Sequence, residues 1–142
     1  MSLFLERALH SLWSSDFSLT SLVPSSRLFT GAAADGAGLP YVVLTRLGSK
    51  PSSRTSSGRT IDETAVRFTI WCGRLDAAKQ LAAEIARRFD RLSFQLYDIH
   101  VLNFHRTHDT AAREADGIWQ LAIDFVALSE GEGEGWRLET GG

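Results

Sequence analysis

Two period-two runs, LPYVVLTRL at residues 39–47 and AVRFTIWC at residues 65–72, flank the polar stretch GSKPSSRTSSGRT at residues 48–60, and no other feature constrains the fold as much. Alternation of apolar and polar side chains is the mark of a strand buried on one face, so the two runs read as antiparallel neighbours. In the first, Tyr41, Val43 and Thr45 alternate with Val42, Leu44 and Arg46; in the second, Val66, Phe68, Ile70 and Cys72 alternate with Arg67, Thr69 and Trp71. A tight hairpin would need only about two to five residues between them. About a dozen, with nothing to bury, predict a long mobile loop that orders only against a partner. It carries Lys50, Arg54 and Arg59 and no acid, which suits contact with another molecule better than catalysis.

Around this pair the periodicity gives helices and further strands. Leu5, Leu9 and Leu12, with Phe4, Ala8 and Trp13 beside them, predict an amphipathic helix over residues 3–14. Asp16 offers an N-cap for a short turn through Leu19 and Leu22, Pro24 stops it, and the SSRLF that follows reads as a short strand. After Gly73, Asp76 can cap a helix built on Leu75, Ala78, Leu81, Ala82, Ile85 and Phe89, and Arg87, Arg88 and Arg91 complement the dipole at its end. Residues 95–105 read as a strand with Ile99 and Val101 on one face and Leu102 and Phe104 on the other. Residues 118–128 read as another, with Trp119, Leu121, Ile123 and Phe125 on one face. The polar join between them, THDTAAREADG, is a second candidate for mobility. The order predicts an α+β fold: a mostly antiparallel β-sheet of four to five strands, two α-helices packed on one face, and a long β-hairpin loop. Residues 1–129 form the single domain, and residues 130–142 a flexible acidic Gly/Glu tail. The uncovered sheet face, carrying Trp71 and Val42, Leu44 or their counterparts, is apolar enough to predict oligomerisation.

Charge narrows the function. The chain has 142 residues, 44% of them hydrophobic, and a net charge of -2, which argues against general nucleic-acid binding. The distribution is uneven, however. Segment 46–74 holds Arg46, Lys50, Arg54, Arg59, Arg67 and Arg74 against Asp62 and Glu63, whereas the end of the chain holds Glu130, Glu132, Glu134 and Glu139 against Arg137. A basic arm and an acidic tail suit contacts between copies or with another protein, and a small nucleic-acid-binding domain using segment 46–74 is the alternative. No apolar run approaches the roughly eighteen residues of a membrane span, and Glu6 and Arg7 interrupt the region where a signal peptide would be apolar, so no membrane is expected and the cytoplasm is the expected location.

Chemical motifs point the same way. His100, His105, His108 and Asp109 are candidate metal ligands, but period two places His100 and His105 on opposite strand faces and His108 beyond the strand end. Cys72, alone in mid-strand with no basic neighbour, reads as a buried hydrophobe. The loop serines lack a nucleophile-elbow turn, and the GAAADGAG and GEGEG runs lack the context of a phosphate-binding loop. No catalytic, cofactor-binding or metal residue is expected. Trp136, an aromatic alone in a Gly/Glu tail, reads as an anchor for a partner or a neighbouring copy.

The order of these pieces, an N-terminal amphipathic helix, DFSLTSLVPSSRLFTG, GAGLPYVVLTRLG, a polar loop, VRFTIWCGRLDAAKQLAAEIARRF and GIWQLAIDFVAL, resembles the tail-completion or tail-terminator proteins of long-tailed phages and prophages over residues 3–129. The resemblance implies a non-enzymatic role in head-tail joining. Copies, typically six, would form a ring on the tail tube, meeting the major tail tube protein on one side and the head-tail connector protein on the other. It also implies the bacterial host cytoplasm during assembly and the virion tail afterwards as locations, and places residues 48–60 in the contact machinery. The ring-interface residues expected on this reading are Arg46, Lys50, Arg54, Arg59, Trp71 and Trp136. The acidic tail is not part of the resemblance.

Overall fold

Leu5, Ala8, Leu9 and Trp13 recur three and four residues apart, and helix α1 (Phe4–Ser14) forms with that stripe buried. This is a computed structural model, and it describes residues 4–54, 60–110 and 112–131. Asp16 has an extended backbone and its carboxylate accepts the Leu19 N–H at 3.1 Å, so the single-turn helix α2 (Phe17–Thr20) starts where the sequence places its cap. A 3-10 turn at Ser25–Arg27 leads into β1 (Leu28–Thr30), and β2 (Tyr41–Arg54) and β3 (Thr60–Cys72) follow. Helix α3 (Leu75–Phe89) buries Ala78, Leu81, Ile85 and Phe89 and ends at Asp90. The chain then makes β4 (Leu92–Leu96), β5 (Ile99–Asp109), β6 (Arg113–Ala115) and β7 (Ile118–Gly131).

Among the described residues the sheet has seven strands, with β1-β2-β3-β7-β5-β4 side by side and β6 paired to β7. It is mixed, because β1 pairs parallel with β2 through Leu28↔Val42 and Thr30↔Leu44, while the other pairs are antiparallel. Three helices, rather than two, accompany it. Residues 95–105 are not one strand: Tyr97 and Asp98, with φ of 50° and 63°, turn β4 back into β5 as a two-residue hairpin. Asp116 and Gly117, at 55° and 77°, do the same between β6 and β7, so part of the join expected to be mobile is paired strand. Asp76 does not cap α3. Arg74 occupies the N-cap position, and Asp76 lies in the first turn, where it accepts from Arg74 and from the Ala77 N–H.

The expected loop at residues 48–60 is largely strand. Register continues through Gly48↔Ala65 and Lys50↔Glu63 to Arg54↔Thr60, and only residues 55–59 lie outside the described part. Burial does not extend the arm; the backbone ladder does. β3 is flanked on its other side by β7 from Cys72↔Trp119 to Thr60↔Gly131, so the polar half of β3 is held on both edges and offers β2 a template. Two register shifts, with Leu47 and Ser52 as the extra residues, let β2 follow it.

The core is aromatic at its centre. Trp13, Phe68, Phe89, Phe104 and Phe125 are fully buried, with Phe68 5.3 Å from Phe89, 5.6 Å from Phe125 and 6.1 Å from Trp13 between ring centroids. The Trp13 indole also donates from Nε1 to the Val23 carbonyl at 2.9 Å, which ties α1 to the segment after α2. Trp13→Ala should therefore cost about 3–5 kcal/mol in urea unfolding. Phe17→Ala, at a ring 83% exposed on α2, should stay within about 0.5 kcal/mol of the parent. Equal losses would mean that the core is not organised around Trp13.

Asp16 adds an electrostatic link from α2 to α3, since Arg87 donates to both of its carboxylate oxygens at 3.0 and 2.9 Å and Arg88 lies at 3.4 Å. Burial pushes its pKa up, but the Arg87 hydrogen bond, the Leu19 N–H and the two guanidinium charges outweigh that and hold it below the ordinary 3.8. A depressed folded-state pKa contributes stability above the unfolded value, and the contribution disappears as pH falls through the folded value. Asp16→Asn retains a capping oxygen and loses only the charge. It should be less stable than the parent at neutral pH and converge on it below pH 3.8; a gap in urea midpoint that stays constant into strong acid would count against the ion pair.

Candidate assembly interface

Strand period sorts the sheet into two faces. Val42, Leu44, Val66, Phe68, Ile70, Leu121, Ile123 and Phe125 form the core with the helices. Val42 and Leu44, expected among the candidates for the second face, thus belong to the core face, and their neighbours Tyr41 and Val43 take the other. There Trp71 pairs with Tyr41 and stacks on it at 5.9 Å and 22°, and Phe29 meets Tyr41 edge-on at 5.9 Å. These three half-buried rings make an aromatic row across β1, β2 and β3.

The middle of that face is ionic. Arg67 donates from Nε and Nη2 to Asp124 at 2.7 and 3.0 Å, and His108 Nε2 lies 3.1 Å from the same carboxylate. Asp124 is only 4% exposed, so the bidentate pairing keeps a charge tolerable in a shielded position, and it also raises the Arg67 pKa. The network separates the aromatic row at one end of the face from half-buried Val126 and Leu128 at the other. The sheet face expected to be apolar enough for oligomerisation carries an aromatic row beside a charge network.

Bulges decide which residues share a face. Arg46 points to the helix side and holds Glu6 of α1 through Nε at 2.9 Å and Nη2 at 2.8 Å; both are largely buried. Past the extra residue Leu47 the parity flips, and Lys50 falls on the opposite face, 73% exposed, with Glu63 at 3.9 Å. Trp71 and Lys50 thus share a face from which Arg46 is absent. Arg54 pairs through its backbone with Thr60, and Arg59 and Trp136 lie outside the described residues. Of the six bases in segment 46–74, four face acids: Arg46 with Glu6, Lys50 with Glu63, Arg67 with Asp124 and Arg74 with Asp76. Among the described side chains of this segment, each base therefore faces an acid. Glu6 and Asp124 carried no signal of their importance in the sequence; the Tyr41–Trp71 pair follows once antiparallel register is known.

The same bulge logic corrects the histidines. Extra residues at Leu102 and Thr107 of β5 bring His100, His105 and His108 to one face, against the strict alternation expected. They still do not converge. His100 binds Glu130, His105 binds Asn103 and His108 binds Asp124, each at 3.1 Å, and these rows are spread along β7. Among the described residues no three potential ligands come together to hold a metal. Cys72 is buried in the core. A groove of about 430 Å³ runs along α1 between Arg7, His10, Ser11, Ser14, Thr30 and Tyr97. Burial lowers the His10 pKa there despite a hydrogen bond with the Leu28 backbone, so the imidazole is neutral at pH 7.

Comparison with known proteins places this geometry. The fold is similar to a chain in the virion of a native gene transfer agent particle, with a TM-score of 0.71 at 14% identity over 90% of this chain and 96% of that one. A second solved structure matches with a TM-score of 0.59 at 17% identity, over 91% of this chain and 96% of that one. No curated protein matches by sequence. Residues 7–130 match the family described as tail completion protein gp17, nearly the whole described fold. The chain belongs to the tail completion protein gp17 family.

Proposed function

We propose that this protein is a non-enzymatic structural component that completes a phage or prophage tail. Copies assemble as a ring of six on the last ring of the major tail tube protein, stop its growth and present the head-tail connector protein with a surface. Assembly takes place in the host cytoplasm, and the ring stays in the virion tail. The family match over residues 7–130 carries the reading, and the likeness to a chain of a gene transfer agent virion supports it. The fold supplies suitable contacts: the exposed Lys50 on the β2–β3 arm and the Phe29, Tyr41, Trp71 row share the face that the helices leave open.

Arg46 and Lys50 separate folding from assembly. Replacing Lys50, Arg54 and Arg59 together with Glu should barely change the melting temperature, since a charge as exposed as Lys50 contributes little, yet should abolish capping of purified tail tubes. Arg46→Ala instead strands the buried Glu6 carboxylate and should cost about 3 kcal/mol of stability. Electron microscopy of tubes mixed with each variant reads the first effect and urea unfolding the second. A triple-Glu protein that caps tubes normally would remove the arm's charge from the mechanism. Unrestricted tube growth with the parent protein would remove the function itself.

A further inference from the structure

Arg7, His10, Ser11 and Ser14 recur three and four residues apart along α1, so one helical face carries all four into the groove of about 430 Å³. Both ends of the sheet complete it. Thr30 closes β1, the first strand in the sheet order, and Tyr97 follows β4, the last, so both edge strands reach the groove. Among the described residues the outer backbone groups of these strands have no ladder partner.

Charge in the groove is one-sided. Glu6 is held by Arg46 and His10 is neutral at pH 7, which leaves the Arg7 guanidinium without an opposite charge among the described residues. It lies over the Tyr97 ring, 4.7 Å from the centroid. Tyr97 does this from a φ of 50°, a left-handed turn position that favours Asn or Gly and that a bulky side chain rarely takes. A ring contact holds the guanidinium in place without an acid, so its charge and its planar fork of donors stay available for a carboxylate. The Ser11 and Thr30 hydroxyls beside it have no hydrogen-bond partner among the described residues. A polypeptide carrying that carboxylate also finds backbone partners on the edge strands, which a free anion or a nucleic acid would not use.

We propose that the α1 groove docks an acidic segment of a partner protein, with an Asp or Glu carboxylate on Arg7 and the flanking backbone along the sheet edge. Neither a ring nor its copy number enters this inference.

Amide chemical shifts of the isotope-labelled full-length protein, titrated at pH 7 with acetyl-Leu-Glu-Leu-amide, test it. Saturable shifts should centre on Arg7, His10, Ser11 and Tyr97, and acetyl-Leu-Gln-Leu-amide, which keeps the shape and loses the charge, should bind at least about tenfold more weakly. Arg7→Gln, at an exposed position of α1, should remove that preference and leave the amide spectrum elsewhere unchanged. Absence of saturable shifts with the Glu peptide would overturn the proposal, as would equal binding of the two peptides or a preference that survives Arg7→Gln. Tighter binding of inorganic phosphate at the same amides would assign the groove to phosphate-bearing ligands and overturn it equally.

Discussion

Phe68 on the central strand stacks against Phe89 of α3 and Trp13 of α1 and meets Phe125 of β7 edge-on, so one side chain joins both long helices to two strands. Each such ring pair contributes about 0.5–1.5 kcal/mol beyond the burial of its surface. The consequence is geometric as much as energetic. Once Phe68 is committed to the helix side, strict alternation sends Arg67, Thr69 and Trp71 to the other, and β7 places Asp124 opposite Arg67. The face available to partners is thus fixed by the face that is not.

Ion pairs hold the two ends of this arrangement in place. Arg46 and Glu6 fasten the helix side of β2 to α1, and Arg67, Asp124 and His108 fasten the open sides of β3, β7 and β5 to one another. Both carboxylates are nearly buried, so each cation is required where it stands and cannot serve a ligand. A segment that looks basic in the sequence is therefore mostly neutralised in the fold. What stays exposed is Lys50 on the outer arm, and the half-buried aromatic row lies at the far end of the same face.

Bulges explain where alternation assigns a side chain to the wrong face of β2 and β5. Alternation assigns faces correctly as long as register is unbroken, which is why Val66, Phe68 and Ile70 are core and Trp71 is not. A single extra residue at Leu47, Leu102 or Thr107 inverts every later assignment on its strand, and nothing in the local sequence announces it. Lys50 and His105 took their faces from single shifts, and the second shift on β5, at Thr107, returns His108 to that same face.

The sequence by itself determined the elements whose signals are local: the buried stripes of α1 and α3, the cap at Asp16, the paired runs around residues 41–46 and 66–72, and a hydrophobic order sufficient to suggest the family. Periodicity and capping depend on residues within a turn or two of each other, so they can be read directly. Tertiary structure alone decided the rest. Residues 48–54 are strand because β7 stabilises β3 and β3 templates β2, a cooperation among backbones distant in sequence with no side-chain signature. Glu6 found Arg46 across 40 residues and Arg67 found Asp124 across 57, and only the packed chain brings such partners within hydrogen-bonding distance.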